Sequence, residues 1–208
     1  MNFKAGEMIR FGWESFKKRP WFLIGVLVIT AVISSVIGYL AGLLGDNGIW
    51  AFAGFVINIT ASILVAVGTT NLILKAHDSV ESVTYSELWH PKPFWSYLGV
   101  TIIFSLAVIL GLVLLIIPGI IVFLAYQFGE YIVIDRNLGP VEALEESARI
   151  TKGNRLELLW LAFMILGLNI LGALALLIGL LVTIPVTWLA IVHAYRTLEH
   201  SASEVTAV

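Results

Sequence analysis

The residues with the most chemistry to offer lie inside an apolar stretch. Glu130 is the only acidic or basic residue between Trp95 and Ile134. An ionisable group in such surroundings is costly and marks a functional site by default. Tyr126 precedes it at i, i+4 and Gln127 at i, i+3, so on a continuous helix the three form one polar stripe. Such a stripe suits a proton or ligand site. A structural alternative stays open. Glu130 lies five residues before Asp135, roughly 7.5 Å along a helix, and could reach the membrane interface or pair with Arg136 or Arg149. Asn169 and His193 are the other polar candidates. A lone intramembrane Asn bonds a neighbouring helix, and His193, one turn before Arg196, reads as interfacial.

Other chemistries find little support. No two histidines or carboxylates sit at metal-ligand spacing within an apolar stretch. There is no glycine-rich phosphate loop of the P-loop or dinucleotide type, and no Ser-His-Asp arrangement can be argued. The chain contains no cysteine, which excludes disulfides, thiol catalysis and cysteine-based metal sites. The expectation is a protein that is not an enzyme and carries neither cofactor nor metal.

The elements that position these residues follow from composition. The 208 residues are 59% hydrophobic and 12% charged, about half the charged fraction of a soluble domain, with a mean hydropathy of +0.96. A disordered chain is excluded and a polytopic all-α membrane protein is expected, as a single domain over 1–208. A crossing needs roughly 20 apolar residues. Six spans are predicted: 21–43, 50–74, 95–117, 119–134, 158–175 and 178–196. Gly45-Asp46-Asn47-Gly48 turns the first pair. Pro118-Gly119 is expected to turn the second, and the third turns between Gly172 and Gly179. Re-entrant hairpins over 95–134 and 158–195 fit the pattern equally well except in length. The first twenty residues are too polar for a cleavable signal peptide.

Charge placement orients the chain. With six crossings, Lys4, Arg10, Lys17, Lys18 and Arg19, then Lys75 and Lys92, then Arg136, Arg149, Lys152 and Arg155, and finally Arg196 all fall on one side. That accounts for all twelve basic residues. By the positive-inside rule both termini are cytoplasmic. The net charge of −2 argues against a nucleic-acid partner.

Each hairpin is preceded by an amphipathic segment, over 4–18, 82–93 and 140–152. In the first, Ile9, Trp13 and Phe16 share one face. In the third, Pro140 occupies the first helical position, acidic residues lead and basic residues close, and Val141, Leu144 and Ala148 form an apolar stripe. This suggests three copies of one unit, or merely three short loops. A helix lying on the headgroup layer is one reading of 140–152. The other is an anionic-lipid site made by Arg149, Lys152 and Arg155 with Lys17, Lys18 and Arg19, each basic group worth about 1 kcal/mol near an anionic surface.

The run from Gly139 to Arg155, GPVEALEESARITKGNR, resembles a bacterial six-helix membrane family that includes the YciC-like proteins and the membrane domain attached to some glycerophosphoryl diester phosphodiesterases. Gly12-Trp13-Glu14-Ser15-Phe16, Leu115-Ile116-Ile117-Pro118-Gly119 and Ala194-Tyr195-Arg196-Thr197-Leu198 resemble its opening helix, middle hairpin and closing stretch. The resemblance implies an inner-membrane location and a six-helix fold, and no settled activity. Two functions remain in view. One is a structural or regulatory membrane subunit touching anionic lipids, with a membrane or cytoplasmic protein partner or a second copy of itself. The other is a small transporter or lipid-handling protein that uses Glu130.

Overall fold

A computed structural model describes residues 3–45, 47–89 and 93–206. Asp46 and Lys92 lie outside the described residues, as does the part of the second amphipathic segment that spans 90–92. Among the described residues all regular structure is helical. The helices are α1 (Ala5–Lys18), α2 (Pro20–Gly42), α3 (Gly48–Asp78), α4 (Phe94–Leu114), α5 (Ile116–Tyr126), α6 (Gly129–Arg136), α7 (Pro140–Ile150), α8 (Arg155–Leu174) and α9 (Leu180–Thr206), with a 3₁₀ turn at Tyr85–Leu88. Six segments are long and apolar enough to cross a membrane. They are α2, α3, α4, Ile116–Arg136 comprising α5 and α6, α8, and Leu180–Ser203 of α9.

The crossings form three antiparallel hairpins, α2–α3, α4–α5 and α8–α9. Pro20 opens α2 at a position where its missing N–H is no loss. Gly45 and Gly48 take positive φ of 89° and 51° in the first turn, conformations open to glycine without steric cost. The second turn is not at Pro118-Gly119. It is Leu115 alone, extended at φ −166° and ψ 149°. Pro118 sits in the first turn of α5, where a proline is tolerated. Gly119 instead lets the hairpin close, since a Cβ there would come within 2.8 Å of the Leu112 nitrogen. The third turn carries Leu176 and Leu177 at positive φ of 56° and 64°.

The segments outside the hairpins are docked against them. On α1 the buried face is Ala5, Met8, Gly12, Ser15 and Phe16, while Ile9 is half-buried and Trp13 exposed. The expected face of Ile9, Trp13 and Phe16 is thus rotated. The reason is α9, which α1 packs along, with Gly12 set against the Val186 carbonyl and the Ala190 backbone. On α7 the buried residues are Ala143, Leu144, Ser147 and Ile150, with Val141 exposed. Its packed side therefore differs from the stripe of Val141, Leu144 and Ala148, because α7 is seated on α4, α5 and α6. Pro140 fills the notch at Gly99 and Leu144 the notch at Gly129. The 3₁₀ turn climbs the first hairpin, with Tyr85 against Gly25 and the Leu88 carbonyl against Gly68.

Among the described residues the charged contacts between helices gather at one end of the bundle. Arg19 before α2 bonds the Val80, Glu81 and Val83 carbonyls after α3. Arg196 on α9 meets Asp78 on α3 and Asp135 on α6.

A side chain at Gly12 would strike main chain that cannot move aside. Gly12→Leu should therefore lower unfolding stability by about 1–3 kcal/mol, the usual cost of overpacking. Gly6→Ala, on the same helix with nothing within 4 Å of the added Cβ, should be neutral or stabilising. Thermal unfolding of the purified protein in detergent distinguishes the two.

Candidate functional site

The fourth crossing is broken between Tyr126 and Gly129. Phe128, at φ −93° and ψ 0°, caps the second half. Tyr126, Gln127 and Glu130 therefore do not form the continuous stripe expected from their spacing. A break in a membrane span frees backbone groups that must find other partners. Ser147 of α7 supplies two of them. Its Oγ donates to the Ala125 carbonyl at 2.8 Å and accepts from the Phe128 N–H at 3.2 Å. Thr151 adds a weaker bond to the same carbonyl at 3.3 Å. The Gln127 side chain donates to the Leu124 carbonyl at 3.2 Å. Gln127 is thus spent on mending the break, and Tyr126 is half-buried against the core.

Glu130 lies in the first turn of α6, where the N-terminal end of the helix favours a carboxylate. Tyr97 donates to Oε2 and Thr101 to Oε1, each at 2.9 Å. Both donors come from α4. The expected partners are engaged elsewhere: Arg136 bonds Glu146 and Glu199, and Arg149 bonds Glu146. Among the described residues Glu130 pairs with no cation. The pairing with Arg136 or Arg149 is therefore replaced by two hydroxyl bonds.

Thr70 of α3 lines an open groove of about 400 Å³ with Leu27, Thr30, Ser34, Ser62, Thr69 and Trp188. This groove lies between α2, α3 and α9. Thr30 and Thr69 donate their protons to carbonyls of their own helices, Val26 and Leu27 for the first and Val65 for the second. Their oxygens keep lone pairs that can accept a further bond, on a lining otherwise made largely of Leu27, Ala31, Val65, Ala66 and Trp188. Sequence reading missed Tyr97 and Thr101, although their i, i+4 spacing marks a polar pair on one helix face.

The charged end holds a second set of contacts. Arg196 forms a two-pronged bond to Asp135 at 2.7 and 2.9 Å, the geometry that makes Arg–carboxylate pairs strong. Tyr195 donates to the same Asp135 at 2.9 Å. Glu199 accepts from Arg136, which reaches on to Glu146 at 2.9 Å, and Glu146 accepts from Arg149 at 2.7 Å. The network ties α3, α6, α7 and α9 together. Of the basic residues set apart for lipid headgroups, Lys17, Lys18 and Lys152 are exposed. Arg149 bonds Glu146 and Arg19 bonds three carbonyls, so both are engaged within the chain. Arg155 is half-buried with its Nε unpartnered. Asn169 does not bond a neighbouring helix through Oδ1, which has no partner among the described residues. His193 meets His77 of α3 at 3.0 Å, close to Asp78 at the charged end.

Residues 101–202, just under half of the chain, match a family described as protein of unknown function (DUF975). The uncharacterized protein Rv2560 of Mycobacterium tuberculosis is 26% identical over 228 aligned residues, covering 95% of this chain and 69% of the relative. The uncharacterized protein Mb2590 of Mycobacterium bovis matches to the same extent. No solved structure matches the chain. These likenesses give no support to the YciC-like or phosphodiesterase-associated families in particular.

Removing the Ser147 hydroxyl leaves the Phe128 N–H without an acceptor. Ser147→Ala should cost about 1–3 kcal/mol, the penalty for an orphaned buried donor, seen as a lowered unfolding temperature. The hydrogen bond from Arg149 holds the Glu146 carboxyl below its ordinary range, outweighing the opposing effect of burial. A depressed folded-state pKa gives stabilisation that is complete above the unfolded value of about 4.3 and lost as pH falls through the folded value. Glu146→Gln should therefore flatten the fall in stability below that pH, measured by unfolding in detergent across the acid range.

Proposed function

We propose that this chain is an integral membrane protein that binds a small membrane-soluble ligand carrying hydrogen-bond donors. The ligand would enter the groove between α2, α3 and α9, with Glu130 as the proton or charge partner behind it. One observation carries the reading: an intramembrane carboxylate held by two hydroxyls at a broken helix, in a bundle whose α2, α3 and α9 leave a groove lined in part by hydroxyls. Broken spans are where membrane transporters place their binding sites, and an unpaired carboxylate at membrane depth is costly to keep without a use. The mainly apolar lining, with the free lone pairs of Thr30 and Thr69, favours a largely apolar ligand that carries a hydrogen-bond donor. The role is binding or transport rather than catalysis. We place the protein in a bacterial-type inner membrane with the charged end and both termini cytoplasmic, on the distribution of its basic residues.

A second reading is a structural or regulatory subunit that contacts anionic lipid and a protein partner through the charged end. The exposed Lys17, Lys18 and Lys152 favour it. Only part of the basic set remains available for headgroups, since Arg19 and Arg149 are engaged within the chain.

Native mass spectrometry from mild detergent separates the two. Ligand binding predicts a retained small molecule whose occupancy falls at least about tenfold, or 1.4 kcal/mol, in Glu130→Gln with the protein still monodisperse. An unchanged spectrum for the variant would sink the ligand reading. A co-purifying protein, unaffected by the variant, would establish the subunit reading instead.

A further inference from the structure

Four threonines of the spans spend their hydroxyl protons locally. Thr30 of α2, Thr69 of α3, and Thr187 and Thr197 of α9 each donate to a carbonyl of their own helix at 2.7–2.9 Å. Thr183 of α9 does not. The residue is only 9% exposed, and its Oγ1 is buried with no partner among the described residues. Across the hairpin on α8, Asn169 Oδ1 is buried and equally without a partner. A buried polar atom left unpaired is costly, and hydrocarbon offers it nothing.

Both atoms belong to one seam. A Cβ at Gly172 of α8 would stand 2.6 Å from Thr183 Oγ1, so this hydroxyl lies directly against the Gly172 backbone. Asn169 precedes Gly172 by three residues on the same helix face, a spacing that sets Cβ positions about 5–6 Å apart. Thr187 follows Thr183 by one turn on the same face of α9 and is also buried. Its proton goes to the Ile184 carbonyl at 2.9 Å, which leaves its lone pairs for another donor. We propose that the α8–α9 seam binds one internal water that bridges Asn169 Oδ1 and Thr183 Oγ1, so that the two helices are joined there through water rather than side chain to side chain.

The hydrogen inventory closes with that one molecule. Water accepts the Thr183 proton, gives one hydrogen to Asn169 Oδ1 and gives the other to a lone pair of Thr187. That is about three bonds, the usual number for a buried water. Should the Asn169 amide turn its Nδ2 inward instead, the same water accepts from it, so the site serves either orientation of the amide. The backbone supplies a further reason for water here. Pro185 lies inside α9, two residues after Thr183, and offers no N–H to the Leu181 carbonyl. Ordered waters are among the partners that make a proline tolerable within a span.

The sign of one substitution tests the site. Thr183→Val keeps the shape and removes the hydroxyl. With a bridging water it should lower the unfolding temperature in detergent by about 2–4 °C, because the water loses a partner. Without one, the change merely relieves an unpaired hydroxyl and should leave that temperature unchanged or raise it, which overturns the proposal. Coupling supplies the second readout. In an Asn169→Leu background the penalty of Thr183→Val should largely vanish, since the two residues share one partner; an equal penalty in both backgrounds counts against the bridge. A crystal structure of the native chain at a resolution that shows waters decides the matter where a variant fails to fold. Density at hydrogen-bond distance from both side chains is expected, and a direct Asn169–Thr183 contact or an empty seam would sink the idea. Glu130 takes no part in this site, so the outcome is separate from the fate of the groove beside α2 and α3.

Discussion

Within hydrocarbon every backbone N–H and C=O needs a partner from the protein itself, and that constraint organises this molecule around Ser147. The fourth crossing gives up its continuous ladder at Gln127-Phe128, and the exposed donor and acceptor are both met by one buried hydroxyl. α7 is therefore docked against the bundle through its Ala143, Leu144, Ser147 and Ile150 face. Its depth is set by two notches, Pro140 on Gly99 and Leu144 on Gly129. The same docking fixes the start of α6, which turns Glu130 toward Tyr97 and Thr101. At its other end α7 delivers Glu146 to Arg136 and so connects the break to the charged network. One seryl hydroxyl thus links backbone satisfaction, helix docking and the position of the intramembrane carboxylate.

What the amino-acid order revealed depended on how local the cause was. Hydropathy over twenty residues is a local property, so the six spans were legible, and α3 merely runs on to Asp78 beyond its apolar part. The break at 127–128 was hidden, because its cause is Ser147 twenty residues further on. The turn between the second pair was misassigned because Pro118 looks like a breaker, yet proline is harmless in a first helical turn. Glu130 stood out as a lone charge. Its partners did not, since Tyr97 and Thr101 lie some thirty positions earlier and only α4–α6 packing brings them near. The charge network and the histidine pair are more distant still, with His77 and His193 on different hairpins.

The three segments that precede the hairpins share a packing device more clearly than a sequence. Each is seated where a glycine removes a side chain: α1 through its own Gly12 on α9, the 3₁₀ turn on Gly68, and α7 on Gly99 and Gly129. The hairpins close in the same way, Gly54 on the Ala41 carbonyl, Gly111 on Gly119, and Gly172 on Gly179 and Thr183. Close approach of backbones is the route to packing when lipid removes the hydrophobic drive between helices. The apolar surface left outward, such as Leu106, Ile109 and Leu110 on α4, then serves the acyl chains.

The two later hairpin tips differ from the first. Val113, Leu114, Leu115, Ile116 and Ile117 are all strongly exposed, and Leu176, at 84%, is joined by Leu177 and Ile178. Nothing at these tips is obliged to stay in water, whereas the opposite end is held at the interface by its whole set of charges. These two hairpins are therefore moored at their charged end only. When a bilayer thickens or thins, the mismatch is absorbed at the unmoored tips, which can sink or surface by several ångströms at a cost of fractions of a kcal/mol per Å. The charged network and the bonds around Glu130 keep their registry while that happens, so one fold can serve membranes of different thickness.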